Sequence, residues 1–355
     1  MSPQNRLQEL RSQIDEINLQ LLELLNKRAA IAADIGKVQE QLGTTFYDPA
    51  REGQMLTALE MANEGPFSNE AIKAIFHQIF RVTLDMEEKA ALKKMLVERK
   101  NPDQRTMIEF PNGLVIGDGS FPIITGPCAV ESLEQMEQTA AALAERGVKI
   151  IRGMAFKPRT SPYEFQGLGE EGLKIARQVA NKYNMMVVSE VLDPSLIMMM
   201  SDYVDMFWVG ARNMQNSYLL RALGKMRQPV ILKRSFGANY KEWLYAAEYI
   251  MASGNPNVIL MERGIRTYET WTRNTLDISA VPMVKIESHL PIMVDVSHSA
   301  GRPDLAIPLA KAAKAIGADG LMVEVHPNPP VAMSDAKQQL TIPQFHALVD
   351  ALEAM

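Results

Sequence analysis

Two sets of side chains in this 355-residue chain have types and spacings suited to chemistry. Arg152, Lys157, Arg159, Arg212, Lys233 and Arg263 are cations standing at or soon after the ends of short apolar runs. Cys128, His298, Glu324 and Asp335 are a thiol, an imidazole and two carboxylates in comparable places. Six half-buried cations brought together would repel one another and lose hydration unless anions sat among them. Guanidinium groups recognise phosphate and carboxylate through charge-assisted hydrogen bonds worth about 1.5–3 kcal/mol each. The formal net charge is −5, so this is a local anion site and not the basic stripe of a nucleic-acid binder. The second set mixes sulfur, nitrogen and oxygen donors, which suits one divalent ion of the Mn, Co, Fe or Zn class better than Mg or Ca. Taken singly, each residue has a plainer reading. Cys128 would be a small buried hydrophobe, His298 a satisfied loop histidine, and any polar strand end part of a solvated loop.

Such residues need a scaffold that aims many strand ends at one mouth. From about residue 106 the chain alternates short apolar runs with helix-length stretches. The runs are 122–126, 149–153, 185–191, 204–209, 229–233, 258–261, 291–296 and 320–325. Eight in about 250 residues is the count and length of a (β/α)8 TIM barrel, an α/β fold whose active site lies at the C-terminal strand ends. In chain order those ends deliver Cys128, Arg152, Glu190, Arg212, Lys233, Arg263, His298 and Glu324, with Asp335 in the loop after the last. A hairpin around Asn112-Gly113 is expected ahead of the first run.

Residues 1–90 follow a different period. Leu7, Leu10, Ile14, Ile17, Leu21, Leu24, Ile31, Ile35, Val38 and Leu42 keep a three-four spacing, the mark of one long helix with an apolar seam. At about 1.5 Å per residue it is roughly 55 Å long and needs partners. A break at 43–49, a helix over about 50–63 and a third from about Ser68 into the nineties complete an all-α three-helix domain. Residues 91–105, ending in Asn101-Pro102-Asp103, read as a linker, and 106–355 as the barrel. The single cysteine suits a reducing cytoplasm. Neither an apolar leader nor an 18-residue apolar run is found, so no membrane is expected. The 23 methionines read as core filler.

GPCAVES (126–132), KPRTSP (157–162), GARNMQN (210–216), LKR (232–234), ERGIRTYE (262–269), VDVSHSAGR (294–302) and VEVHPNP (323–329) resemble segments of the 3-deoxy-D-arabino-heptulosonate-7-phosphate (DAHP) synthases. The resemblance covers 106–355 and is to the branch without large barrel insertions. It implies condensation of phosphoenolpyruvate with erythrose 4-phosphate. Cys128, His298, Glu324 and Asp335 would hold the metal. Arg152, Lys157, Arg212, Lys233 and Arg263 would hold phosphoenolpyruvate, and Arg159, Thr160 and Ser161 the aldose phosphate. Glu190 would lie near the reacting centre, with Lys157 a proton donor. The sibling synthase that takes arabinose 5-phosphate carries Lys-Ala-Asn-Arg-Ser where this chain has Lys157-Pro158-Arg159-Thr160. A barrel that only bound phosphate would not need four metal ligands.

On the long helix, Arg28 occupies a seam position and needs an anion, from a neighbouring carboxylate or a ligand. Arg11, Arg28, Asp48, Arg51 and Glu52, with Thr83 on the third helix, resemble the pattern of the all-helical chorismate mutases. That implies binding of chorismate or prephenate, with Arg11 serving a neighbouring subunit's site in a homo-oligomer. Two positions depart. Where that family places an essential lysine stands Gln39, and where it commonly has glutamine stands Glu87. The rearrangement rests on electrostatic preorganisation, so Gln39 leaves two readings: a weakened or working mutase, or a sensor that restrains the barrel.

Overall fold

The computed structural model describes residues 2–42, 48–92, 95–159 and 161–355, the side chains of 40–42 and 87–92 excepted. The chain divides into two compact units, with the division between Met95 and Leu96.

The first unit is three helices. α1 (Pro3–Leu42) begins at Ser2, whose hydroxyl accepts from the Asn5 N–H. α2 (Pro49–Ala62) starts at Asp48, which caps the Arg51 N–H, with proline in the first turn where no N–H is missed. α3 (Asn69–Leu92) packs on both. The chain break expected at 43–49 lies mostly outside the described residues. Leu7, Leu10, Ile14, Ile17, Leu21 and Leu24 of the α1 seam are all exposed. The seam is therefore not buried within one chain, because α2 and α3, at 14 and 24 residues, are too short to cover a helix of 40.

The second unit opens with a small hairpin, β1 (Ile108–Glu109) and β2 (Val115–Ile116), turning through Gly113 at φ +79°. Eight parallel strands follow: β3 (Ile123–Gly126), β4 (Ile150–Arg152), β5 (Met186–Glu190), β6 (Met206–Val209), β7 (Val230–Lys233), β8 (Val258–Glu262), β9 (Ile292–Asp295) and β10 (Leu321–Glu324). They close in sequence, β10 pairing with β3, into a (β/α)8 barrel preceded by the three helices.

Strand alternation determines what points inward. Ile124, Ile150, Met186, Val188, Met206, Trp208, Ile231, Ile259, Met261, Met293 and Met322 form the barrel interior, closed at its base by Ile108, Phe110 and Ile116 of the hairpin. Methionine supplies much of that filling, as its flexible stem suits the irregular gaps. One step further along the same phase, two residues on, come Arg152, Glu190, Lys233, Arg263, Asp295 and Glu324. The intervening positions face outward, where Arg234 pairs with Glu262 at 3.1 Å. Residues 96–106, expected within or beside a linker, are instead bound to the barrel. Leu96 and Val97 donate to Glu248, and His289 joins the Leu96 carbonyl to the Thr106 hydroxyl at 2.7 Å each. No described helix is long and apolar enough to cross a membrane.

Candidate active site and metal centre

Cys128, His298, Glu324 and Asp335 come together with one donor atom from each, all within 4.8 Å of one another. Each arrives differently. Glu324 ends β10. His298 lies in the helical turn 296–300, which Asp295 caps through the His298 N–H. Asp335 sits in a left-handed backbone conformation, φ +48°, that turns its carboxylate back to the barrel. Cys128 follows Gly126, whose φ is +145° and where a Cβ would lie 2.3 Å from the Arg152 carbonyl.

Hydrogen bonding fixes the imidazole. Nδ1 of His298 lies 2.8 Å from Asp295 Oδ2, so that nitrogen carries the proton and Nε2 presents a lone pair. That lone pair faces Glu324 Oε1 at 3.3 Å, and Oε1 is buried without a hydrogen bond. Two acceptors aimed at each other suit a cation between them, in addition to the Arg152 guanidinium 3.1 Å from the same oxygen. Burial, with the Glu324 charge, pushes the Cys128 thiol up to about 12, against Lys157, whose Nζ is 2.9 Å from Sγ. A dication would reverse that balance, since a coordinating thiol is deprotonated. Asp335 is held down to about 2: burial raises it, and Arg273, His298 and Lys157 outweigh burial. The four donors fit a divalent ion of borderline softness.

Beside the quartet is a cavity of about 250 Å³ walled by Lys157, Arg159, Glu190, Arg212, Lys233, Arg263, Arg273, His298 and Asp335, among others. Arg263 is 4% exposed, its Nη1 has no partner and its guanidinium lies over the Phe236 ring at 4.6 Å. Burial pushes it down to about 10. A buried cation so poorly paired among the described residues suits an anion. Lys233 pairs with Asp295 at 2.8 Å and lies 4.8 Å from the centre of the Trp208 ring. Glu190 accepts from the Trp208 indole at 2.9 Å. Its carboxylate presses on residue 210, where a Cβ would meet Oε1 at 2.0 Å, so a larger residue than glycine there would push the carboxylate aside.

Other expected residues are placed less directly. Arg152 is fully buried behind the cavity wall, 3.1 Å from Glu324 and 4.7 Å from the centre of the Trp208 ring. Arg159 is engaged by Glu164 at 2.7 Å and donates to Ser334. Ser161 does not line the cavity, and Thr160 lies outside the described residues. Sequence reasoning missed Asp295, Trp208, Arg273, Gln338 and Gln339. Asp295 was findable: it is the last inward position of its run, three residues before His298. The others carry no local signal.

In the helical unit, Arg28, Gln39, Asp48, Arg51, Glu52, His77, Arg81 and Thr83 line a cavity of about 560 Å³. Arg28 donates to the Thr83 hydroxyl at 2.8 Å and lies 5.2 Å from the centre of the Phe80 ring. Among the described residues it meets no carboxylate. Glu52 instead pairs with His77 at 3.0 Å. Arg11 is exposed on α1 and does not line this cavity. The Glu87 side chain lies outside the described set.

Comparison with known proteins fits this geometry. Residues 99–355 match the DAHP synthetase I family, and residues 10–88 match chorismate mutase type II. The chain belongs to the DAHP synthetase I family. A phospho-2-dehydro-3-deoxyheptonate aldolase of Thermotoga maritima is 52% identical over 260 residues, 73% of this chain and 77% of its own length. A crystal structure of a Thermotoga maritima phospho-2-dehydro-3-deoxyheptonate aldolase (DAHP synthase) superposes with a TM-score of 0.72 at 52% identity, over 74% of this chain and 77% of that one. A 2-dehydro-3-deoxyphosphooctonate aldolase of Magnetococcus marinus is 28% identical, over 66% of this chain and 86% of its own length. A DAHP-synthase-family barrel is thus preceded by a helical unit of the chorismate mutase type.

Proposed function

We propose that the barrel condenses phosphoenolpyruvate with erythrose 4-phosphate and water, giving DAHP and phosphate. The observation that carries this is the pairing of an S/N/O/O quartet with a cavity whose wall holds an unpaired buried guanidinium, Arg263. Arg263, Arg212 and Lys233 hold the phosphate and carboxylate of phosphoenolpyruvate, with Arg152 supporting them from behind. Arg159, with residues 160 and 161, takes the aldose phosphate, giving up Glu164 as it does so. A divalent ion held by Cys128, His298, Glu324 and Asp335 would supply Lewis-acid polarisation of the aldehyde oxygen. C3 of the enol attacks the aldehyde carbon, and Lys157, its Nζ beside the quartet, delivers the proton to the new alkoxide. Positive charge develops at C2, where Glu190 is placed to stabilise it. Water adds there, and the C2–O bond breaks to release phosphate.

The test is metal removal. Chelation should abolish turnover, and Mn, Co, Fe or Zn should restore it; Cys128→Ala should lose bound metal and turnover while its unfolding stays cooperative. Full activity in chelated protein would overturn the assignment.

For the helical unit the reading is a binding module for chorismate or prephenate that restrains the barrel. The cavity offers Arg28 and Arg51 for a dicarboxylate but an amide, Gln39, in the place of the family's lysine. The exposed α1 seam supports self-association into a homo-oligomer, a patch too apolar to stay in water, with Arg11 then reaching a neighbouring subunit's site.

A further inference from the structure

We propose that Gln338, with Gln339 beside it, is a positioning residue that fixes the geometry of the metal quartet; this rests on the metal reading above. Both glutamines are nearly fully buried, at 4% and 2% exposed, and each bridges groups that the chain brings from far apart. The side-chain nitrogen of Gln338 donates to Glu324 Oε2 at 2.6 Å and to Asp335 Oδ2 at 3.4 Å. Its oxygen accepts from Arg273 Nη1 at 2.6 Å. Arginine only donates and ionised carboxylates only accept, so the amide has one possible orientation. Gln339 points the other way. Its oxygen accepts from the Cys128 N–H at 2.9 Å, and its nitrogen donates to the Ser334 carbonyl at 2.9 Å.

Three of the four ligands therefore hang on two adjacent amides. His298 has its own holders, Asp295 on Nδ1 and Asn274, which donates to the His298 carbonyl at 3.0 Å. Gln338 is the group that hydrogen-bonds to both carboxylates, so without it two like charges would face each other across the quartet with no shared donor. A neutral donor suits this place because it orients both carboxylates without competing as a charge for them. Arg273 also walls the substrate cavity, so Gln338 links that wall to two of the ligands. Groups of this kind typically account for 10–100-fold in metal affinity.

The experiment uses the full chain, stripped with chelator, and measures Mn²⁺ binding by competition with a metal-sensitive dye. Phosphoenolpyruvate binding to the metal-free protein is measured alongside. Gln338→Met keeps the length and removes the donor. Gln338→Glu keeps the shape and sets an oxygen against Glu324. Both should weaken Mn²⁺ by 10–100-fold, with phosphoenolpyruvate affinity within about threefold of the parent. Parent-like Mn²⁺ affinity in both variants would overturn the proposal. So would an equal loss of both ligands, which would mark a general structural role. A parent chain that binds no Mn²⁺, Co²⁺ or Zn²⁺ would instead overturn the metal reading and this inference with it.

Discussion

Asp295→Asn probes a carboxylate that serves two sites at once. Oδ2 of Asp295 accepts from Lys233 Nζ and from His298 Nδ1, each at 2.8 Å, and Oδ1 accepts from the His298 N–H at 3.0 Å. All three partners are donors, and an amide has one oxygen to offer them. The asparagine would keep its oxygen at the doubly bonded position and set its NH2 against the His298 N–H, losing a helix cap of about 1 kcal/mol. The larger loss is at Lys233, 5% exposed, which would keep its burial and lose its counter-charge. Breaking a buried pair from one side costs about 3–5 kcal/mol. At roughly 2–4 °C per kcal/mol for a domain of this size, the unfolding temperature should drop by about 6–20 °C. His298 also loses the acceptor that sets its tautomer, so divalent-ion affinity should fall about 10–100-fold. Burial raises the Asp295 pKa, but His298 and Lys233 outweigh it and hold the carboxylate well below its ordinary range. Its stabilisation is therefore present above the unfolded pKa and is lost only as pH falls through the depressed folded value. Parent and variant should differ as much at pH 5 as at pH 7. Calorimetric unfolding at both pH values and a Mn²⁺ titration measure these effects. Unfolding temperature and ion affinity both equal to the parent's would refute the reasoning.

Three further outcomes are expected. Arg263→Ala should weaken mainly phosphoenolpyruvate and Arg159→Ala mainly the aldose phosphate, each by about 1.5–3 kcal/mol or ten- to a hundredfold; steady-state kinetics varying one substrate at a time would expose a reversed division. Gln39→Lys should raise chorismate mutase turnover at least tenfold, because charged hydrogen bonds are about twice as strong as neutral ones. Prephenate should slow the synthase in the parent and not in a chain lacking residues 1–95; brisk mutase activity in the parent, or a synthase indifferent to prephenate, would defeat the corresponding half of the reading.

The barrel was legible because eight apolar runs of strand length recur with a polar residue at or near each end, and alternation alone turns Arg152, Glu190, Lys233 and Glu324 inward. The quartet was legible because its residue types are rare: one cysteine, and a histidine among five. Gln338 and Gln339 were not. Glutamine in a loop is usually solvated, and only the turn at Asp335 brings these two inside. Arg273 was equally silent, since its place depends on how the loop after β8 returns to Ala300, whose carbonyl accepts from the Arg273 N–H. The exposed α1 seam shows the opposite limit. Its pattern was plain, but periodicity gives the face that must be covered and not the chain that covers it.

What strand phase cannot choose is sign, and here the imidazole of His298 stands between two buried ion pairs. Arg152 meets Glu324 at 3.1 Å, Glu324 meets His298 at 3.3 Å, His298 meets Asp295 at 2.8 Å and Asp295 meets Lys233 at 2.8 Å. Trp208 stands between the two ends, its ring centre 4.7 Å from Arg152 and 4.8 Å from Lys233. Each member is buried or nearly so, so none can exchange its partner for water, and removing any one leaves a neighbour uncompensated. The row runs from the quartet to Lys233 in the cavity wall without a gap. Changes at its two ends should therefore not add, because residues in one charged network share partners. Asp295, bonded to one member of each site, is where that coupling is largest.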